Sequence, residues 1–256
     1  MRLVQGTCRL SGSLAVYAGA TDPGRIRRCN EDNLLLLPGA GMFAVADGLG
    51  GLDAGDVASS TALAHLRDLC SSRRPGDEGG GDAVSQLGAT IAAVNRRTYE
   101  HRLALGKNMA TTLALVQFGD GATLAAHVGD SRIYRWHDHH LIRITSDHSL
   151  VNALFEQGAL TASQARQSPQ RHVITRAIGA EPTVLPSITP VIVVPGDVFL
   201  LFTDGLTSMV ADEDIASCLR TGPAGDIGRA VSRLVQLAND AGGHDNITVI
   251  GVMIQD

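Results

Sequence analysis

Five acidic segments stand where short apolar runs meet their turns. Phe43-Ala-Val-Ala-Asp47-Gly48 is an apolar run closed by Asp-Gly, and Phe199-Leu-Leu-Phe-Thr-Asp204-Gly205 repeats the arrangement. Ala126-His-Val-Gly-Asp130 ends a third run, Asn30-Glu31-Asp32 precedes Leu34–Leu37, and Asp245-Asn246 precedes the last run. Each alone reads as an ordinary turn, because Asp and Gly are good turn formers. Five in one chain also fit a hard divalent cation, which wants several carboxylate and carbonyl oxygens converging from different segments. A glycine after the acid lets a backbone carbonyl come close. An oxygen-only donor set favours Mg²⁺ or Mn²⁺ over Zn²⁺.

The elements that must position these acids are mostly strands. Leu14–Ala18, Leu34–Leu37, Met42–Ala46, Thr111–Phe118, Thr123–Val128, Ser131–Trp136, Val191–Val194, Val198–Phe202 and Ile247–Ile254 are apolar runs bounded by Gly, Pro, Asp or Asn. Phe118-Gly-Asp-Gly121 reads as a hairpin turn. Helical spacing appears from about Gly55 to Leu69, with Ala58, Ala62, Leu66 and Leu69 inward. A second helix starts at an Asp82 cap and carries Val84, Leu87, Ile91 and Val94. A third starts at Asp226, with Ile227, Val231, Leu234 and Leu237 or Ala238 on one face. Residues 71–81 read as a surface loop, and strand pattern continues on both sides. The expectation is one α+β domain over 1–256, its strands mainly antiparallel.

Composition narrows the function. Of 256 residues, 44% are hydrophobic and 18% charged, which excludes a disordered chain and allows a sizeable core. The net charge of −5 and the scattered arginines give no nucleic-acid surface. The apolar runs are too short for a membrane helix, and Met1–Ala20 lacks the apolar core of a secretory signal, so a cytoplasmic protein is expected. Cys8, Cys29, Cys70 and Cys218 form no CxxC pair and read as reduced thiols. None has an arginine six positions on, so the cysteine-nucleophile phosphatase signature is absent. HExxH, GxxxxGK[ST] and GxSxG are absent too. His137, His139 and His140 crowd what reads as a solvated turn.

Taken in order, the motifs resemble those of the metal-dependent type-2C protein serine/threonine phosphatases in their compact bacterial form. Thr21-Asp-Pro-Gly-Arg-Ile-Arg27-Arg-Cys-Asn30-Glu31-Asp32 resembles the opening motif. Val45-Ala-Asp47-Gly48-Leu-Gly50-Gly51, followed by Ala54-Gly55, resembles the second. Met109-Ala-Thr-Thr-Leu, Val128-Gly-Asp130-Ser-Arg132, Asp147-His148-Ser149-Leu150 and His172-Val-Ile-Thr175-Arg176-Ala-Ile-Gly179 follow. Leu201-Phe-Thr-Asp204-Gly205-Leu206 and His244-Asp245-Asn246-Ile-Thr-Val complete the set.

The resemblance implies a four-layer α/β/β/α sandwich, two mainly antiparallel sheets flanked by helices. It implies hydrolysis of phosphoserine and phosphothreonine on proteins by direct attack of a hydroxide bridging two Mn²⁺ or Mg²⁺ ions. Asp47 would bridge the ions, with the Gly48 carbonyl, Asp204 and Asp245 as further ligands. Asp130 with Asp204 would hold a weaker third ion. Glu31 and Asp32, with Asn246 beside them, would hold metal-bound waters, and Arg27 would grip the phosphate. Residues 146–176 correspond to a flap, with short helices at His148–Phe155 and Thr161–Arg166, that would border the cleft and shape substrate choice. The implied partners are phosphoproteins of a cognate serine/threonine kinase, met by a monomer, with no nucleic acid or membrane partner.

The chain departs from the pattern at three places. Ala110 replaces a glycine. Leu49 stands where animal members carry a histidine proposed as the acid for the leaving alkoxide. Ser208 stands where they carry an acid, which bears on the third ion. Three rival readings are a phosphatase devoted to one small regulatory protein, a catalytically inactive phosphoprotein-binding module of the same fold, and a metal-dependent phosphodiesterase or nuclease. The core acids argue against the second, and the lack of a basic groove argues against the third.

Overall fold

Among the described residues every strand pairing is antiparallel, and the strands sort into two sheets. The computed structural model describes residues 1–49, 54–71, 82–119, 121–221 and 226–255. In chain order come β1 (Arg2–Leu10), β2 (Ser13–Asp22), β3 (Asp32–Leu37), β4 (Met42–Leu49), α1 (Gly55–Ser71) and α2 (Ala83–Leu105). Next are β5 (Ala110–Thr111), β6 (Leu113–Phe118), β7 (Thr123–Val128), β8 (Arg132–His137) and β9 (His140–Arg143). After α3 (Leu150–Glu156) and α4 (Ala162–Gln167) follow β10 (Ser187–Val191), β11 (Val198–Phe202), α5 (Asp204–Thr207), α6 (Asp212–Thr221), α7 (Ile227–Asp240) and β12 (Ile247–Ile254). One sheet runs β1-β2-β12-β11-β8-β9. The other runs β10-β7-β6-β4-β3, with β5 paired to β4.

Strand periodicity divides the core into three apolar layers. In β11 the run Val-Phe-Leu-Leu-Phe is buried throughout, as a strand covered on both faces must be. Val198, Leu200 and Phe202 face α6 and α7, whereas Phe199 and Leu201 face the other sheet. The inter-sheet layer joins them to Phe43, Val45, Val116, Ile133 and Val252. On the far side, Leu35, Ala44, Leu115 and Ala126 lie under Ala62 and Leu66 of α1 and Leu87 and Ile91 of α2. The layers therefore run α/β/β/α, as the sequence motifs implied.

The caps read from sequence are in place. The Asp82 side chain accepts the Ser85 N–H at 2.7 Å, and Asp226 accepts that of Arg229 at 3.0 Å. Ile227, Val231, Leu234 and Ala238 form the buried stripe of α7. Thr161 and Gln164 make a reciprocal capping box on α4, and Ser149 caps α3.

Several expectations are corrected. Val84, the second residue of α2, is exposed. The run Thr111–Phe118 is broken at Thr112, between β5 and β6, because the Thr112 hydroxyl is taken up by Asp47 N. The strand expected at Val191–Val194 ends at Val191 and begins at Ser187; it lies at the edge of its sheet and carries Pro190, which an edge tolerates. β1 and β9 were not anticipated. His137 does not lie in a solvated loop: its Nδ1 is 2.9 Å from the fully buried Asp197 Oδ1, while Asp138 and His139 form the turn. β6 and β7 pair as the hairpin requires, with Asp120 of its turn outside the described residues. Most of the 71–81 loop, and Gly50 and Gly51 of the second motif, also lie outside them.

Phe199 is fully buried and packs edge-on to Phe118, centroids 5.3 Å apart. Phe199→Ala should lower the unfolding free energy by about 3–5 kcal/mol in urea denaturation. A loss under ~1 kcal/mol would mean that the space between the sheets is not tightly packed.

Candidate active site

Asp32 opens β3 and Asp47 lies within β4, and the two are direct cross-strand partners in antiparallel register. Opposed like charges on a sheet repel, so something must hold them there. Asp47 is locked through its backbone. Its carbonyl accepts from Thr112 N at 2.9 Å and from the Thr111 hydroxyl at 2.8 Å, and its N–H donates to the Thr112 hydroxyl at 2.9 Å. The Thr112 hydroxyl in turn lies 2.6 Å from that of Ser131, the neighbour of Asp130. Asp32 is fixed through its carboxylate, which accepts from the Thr203 hydroxyl at 2.7 Å, beside Asp204.

The remaining acids come from the other sheet and from the crossing between sheets. Asp204 is the first residue of α5, directly after β11 and Thr203. Asp245 precedes β12, and its Oδ1 accepts from Asn246 N at 2.9 Å. Asp130 sits where the chain passes from β7 to β8. Burial raises the Asp47 carboxyl well above the ordinary carboxylate range, and Asp32, Asp204, Asp130 and Asp245 raise it further. Asp32 is pushed up to about 7 by burial, against the bonds from Thr203 and Thr248, with Asp204 and Asp245 adding. Asp130 is also pushed to about 7, by burial and then by Asp204 and Asp147.

The donor set fits a hard divalent cation. It is all oxygen, and one carboxylate oxygen, Asp130 Oδ1, is buried with no hydrogen-bond partner. A buried, unpartnered anionic oxygen is costly unless a cation meets it. Gly48 leaves a backbone cradle: a Cβ there would lie 2.0 Å from Gly55 O and 2.6 Å from Glu31 O, so no other residue fits. The fit is one of chemistry and not of a finished cage, since among the described residues no three His, Cys, Asp or Glu side chains meet at ligating spacing.

Arg27 and Glu31 ride on the loop between β2 and β3, and Asn246 holds that loop. Its side-chain amide donates to Pro23 O and Cys29 O, each at 2.9 Å, and its oxygen accepts from Glu31 N at 2.8 Å. Asn246 therefore works as a brace. Arg27 Nη2 lies 2.9 Å from Asp245 Oδ2, which places a half-exposed guanidinium at the rim of the acidic centre. Ser208 caps the C-terminal end of α5, and Leu49 pairs with Ala110.

A cleft of about 780 Å³ opens beside Asp130 and Asp204, walled on its far side by α3 and α4 of the 146–176 segment. Sequence reading gave no role to four of its residues, His172, Asp147, Arg132 and Arg143. His172 Nδ1 lies 3.7 Å from Asp204 Oδ2. Asp147 holds Arg132 through two bonds of 3.1 and 2.8 Å and also takes the Arg143 guanidinium. The Asp147 and His172 motif positions were the available signal; what they face depends on folding.

The protein phosphatase 2C profile matches residues 27–241. The serine/threonine protein phosphatase PstP of Mycobacterium tuberculosis is 37% identical over 246 residues, covering 94% of this chain and 45% of PstP. The chain thus spans less than half the length of that relative. Protein phosphatase PhpP of Streptococcus pneumoniae is 34% identical over 257 residues, covering 92% of this chain and 96% of PhpP. The crystal structure of a PstP catalytic domain in complex with two manganese ions superposes with a TM-score of 0.79 at 32% identity, covering 94% of this chain and 99% of that one.

The charge balance of the site can be read from stability in EDTA. A carboxyl with a raised folded pKa keeps its proton at pH 5 and loses it as pH passes about 7, and the charged form then destabilises the fold. Asp130→Asn removes that charge, so its melting temperature should match the wild type near pH 5. At pH 8 it should exceed the wild type by several degrees, at ~2–4 °C per kcal/mol relieved. An advantage that shrinks with rising pH would contradict the buried-charge account.

Proposed function

The chain belongs to the protein phosphatase 2C family, and from that premise we propose that it hydrolyses phosphoserine and phosphothreonine on other proteins with Mn²⁺ or Mg²⁺ as cofactor. The observation that carries this reading is the placement of Asp32, Asp47, Asp130, Asp204 and Asp245 at strand ends of both sheets, with Asp32 opposite Asp47 and the Asp130 Oδ1 buried without a partner.

Asp47, Asp204, Asp245 and the Gly48 carbonyl would hold two ions, and Asp130 with Asp204 a weaker third. Cations bound there supply Lewis-acid polarisation of the phosphoryl group and make water acidic enough to ionise near neutrality. The chain's own residues do the rest. Arg27, whose planar fork matches two phosphate oxygens at once, binds and orients the phosphoryl group. Glu31 and Asp32 accept hydrogen bonds from water and set its direction. Asn246 and the Thr111–Thr112 pair keep these groups in fixed relation. The cleft under α3 and α4 receives the polypeptide around the phosphorylated residue, and the flap selects among substrates.

The inactive-module alternative is disfavoured because each metal-binding acid of the motifs is present. Phosphoproteins made by a cognate serine/threonine kinase are the partners this reading calls for, met by a single catalytic domain acting as a monomer. Four free thiols suit the reducing cytoplasm, and no helix among the described residues is long and apolar enough to cross a membrane.

The test is phosphate release from a phosphothreonine peptide with Mn²⁺, with Mg²⁺ and with EDTA. Turnover should require the metal, and Asp47→Asn should reduce it by ~100-fold or more, the scale of losing a group that organises transition-state charge. Folded protein that releases no phosphate under either metal would overturn the assignment in favour of a binding module.

A further inference from the structure

Two buried histidine rings, His127 and His148, lie stacked behind the acidic centre, centroids 4.4 Å apart and 19° from parallel. One belongs to β7 and the other to the root of the flap, and each reaches across to the opposite segment. His127 Nε2 lies 2.7 Å from Ser146 O, to which it donates. His148 Nδ1 accepts the Gly129 N–H at 3.2 Å, and the His148 N–H donates to Gly129 O at 2.9 Å. Both backbone groups of Gly129 are thereby committed to one residue.

The tautomer follows from the partners. A backbone N–H only donates, so Nδ1 carries no proton, and the one proton of the neutral ring sits on Nε2, 2.9 Å from the Ser187 hydroxyl. Arg176 Nη1, also a donor, stands 3.2 Å from the same Nε2 and so gives its proton to Leu185 O at 3.3 Å and not to the ring. Burial, then His127, then Arg176 oppose a second proton and hold the group down at about 4.

His148 also gathers the flap's two ends. Its carbonyl accepts from Thr175 N at 2.8 Å, and Leu150 N donates to Val173 O at 2.8 Å, which closes a bridge between Ser149 and Ile174. On the other side, Gly129 has φ +104, and a Cβ there would lie 2.6 Å from Thr112 Cγ2. The peptide before Asp130 is therefore pressed between His148 and the threonine that holds Asp47.

We infer that His148 is a positioning residue: its Nδ1 and its own peptide tie both roots of the flap to the Gly129–Asp130 peptide, so that the flap wall of the cleft and the Asp130 carboxylate keep one fixed relation. It joins three segments, residues 127–129, 146–150 and 173–176, and its neighbours Asp147 and Ser149 line the cleft. The kinetic part of the inference rests on the phosphatase reading, while the structural part stands without it.

The test compares wild type with His148→Asn, His148→Gln and His148→Ala. An asparagine carboxamide oxygen can take the place of Nδ1 and accept the Gly129 N–H, whereas glutamine reaches only the Nε2 position. In the metal-free proteins, hydrogen exchange at the Leu150 and Thr175 amides should quicken about tenfold in the Ala and Gln variants, the scale of one lost hydrogen bond, and stay near wild type in Asn. With Mn²⁺, the Ala and Gln variants should show a KM for a phosphothreonine peptide raised about tenfold, with KM for a small aryl phosphate within ~2-fold, and Asn should restore the peptide KM. A cooperative thermal melt in each variant establishes that it is folded.

Unchanged exchange at Leu150 and Thr175 in folded His148→Ala would overturn the inference. So would an Asn variant no better than Ala, or equal losses on both substrates with KM untouched. A wild type inactive on both substrates would overturn the phosphatase reading alone, and the exchange data would still decide the role of His148.

Discussion

Asp32 and Asp47 face each other across β3 and β4, and the repulsion between carboxylates held this close is what the surrounding structure must withstand. Hydrogen bonds to the carboxylate relieve it only in part. Asp32 keeps a bond from Thr203 and is still pushed to about 7, by burial first and then by Asp204 and Asp245. The protein holds Asp47 by its backbone, through Thr111 and Thr112, which leaves its carboxylate oxygens available for other partners. A threonine pair at this point fixes the acid without neutralising it, which is what a cation-binding carboxylate needs.

The two sheets share the task. Asp47 and Asp32 belong to one, Asp204 and Asp245 flank strands of the other, and Asp130 sits on the crossing between them. The inter-sheet layer of Phe43, Phe118 and Phe199 sets the separation of these groups from a distance. Rigid aromatic packing in the middle of the sandwich thus serves the geometry at its end. The Asn246 brace extends the same logic to an exposed loop, because three bonds from one side chain hold the segment that carries Arg27 and Glu31.

Much of this was legible in the amino-acid order, for physical reasons. β11 and β12 are central, so burial on both faces leaves a continuous apolar run. Asp82 and Asp226 announce their helices because a cap acts within three residues. β1 was illegible because most of its side chains are exposed on both faces, so no apolar period marks it. The break at Thr112 was hidden because its hydroxyl answers a residue 65 positions away. The acids could be located and grouped, but the histidines around them could not. His127 and His148 stack only because β7 and the flap root are brought side by side, and His172 meets Asp204 only across the cleft.

The flap enters and leaves the body of the protein at almost one point, where Ser149 and Ile174 pair. A segment whose two ends already touch adds little to the entropy of closing the chain however long it grows, since that cost rises only with the logarithm of length. Residues 150–173 can therefore be shortened, extended or exchanged in descent while the sheets and their acids stay as they are. Selection can then act on the shape of the cleft without touching the acidic centre. The same economy puts the burden of inheritance on the root, where a few fixed bonds must survive every change made beyond them.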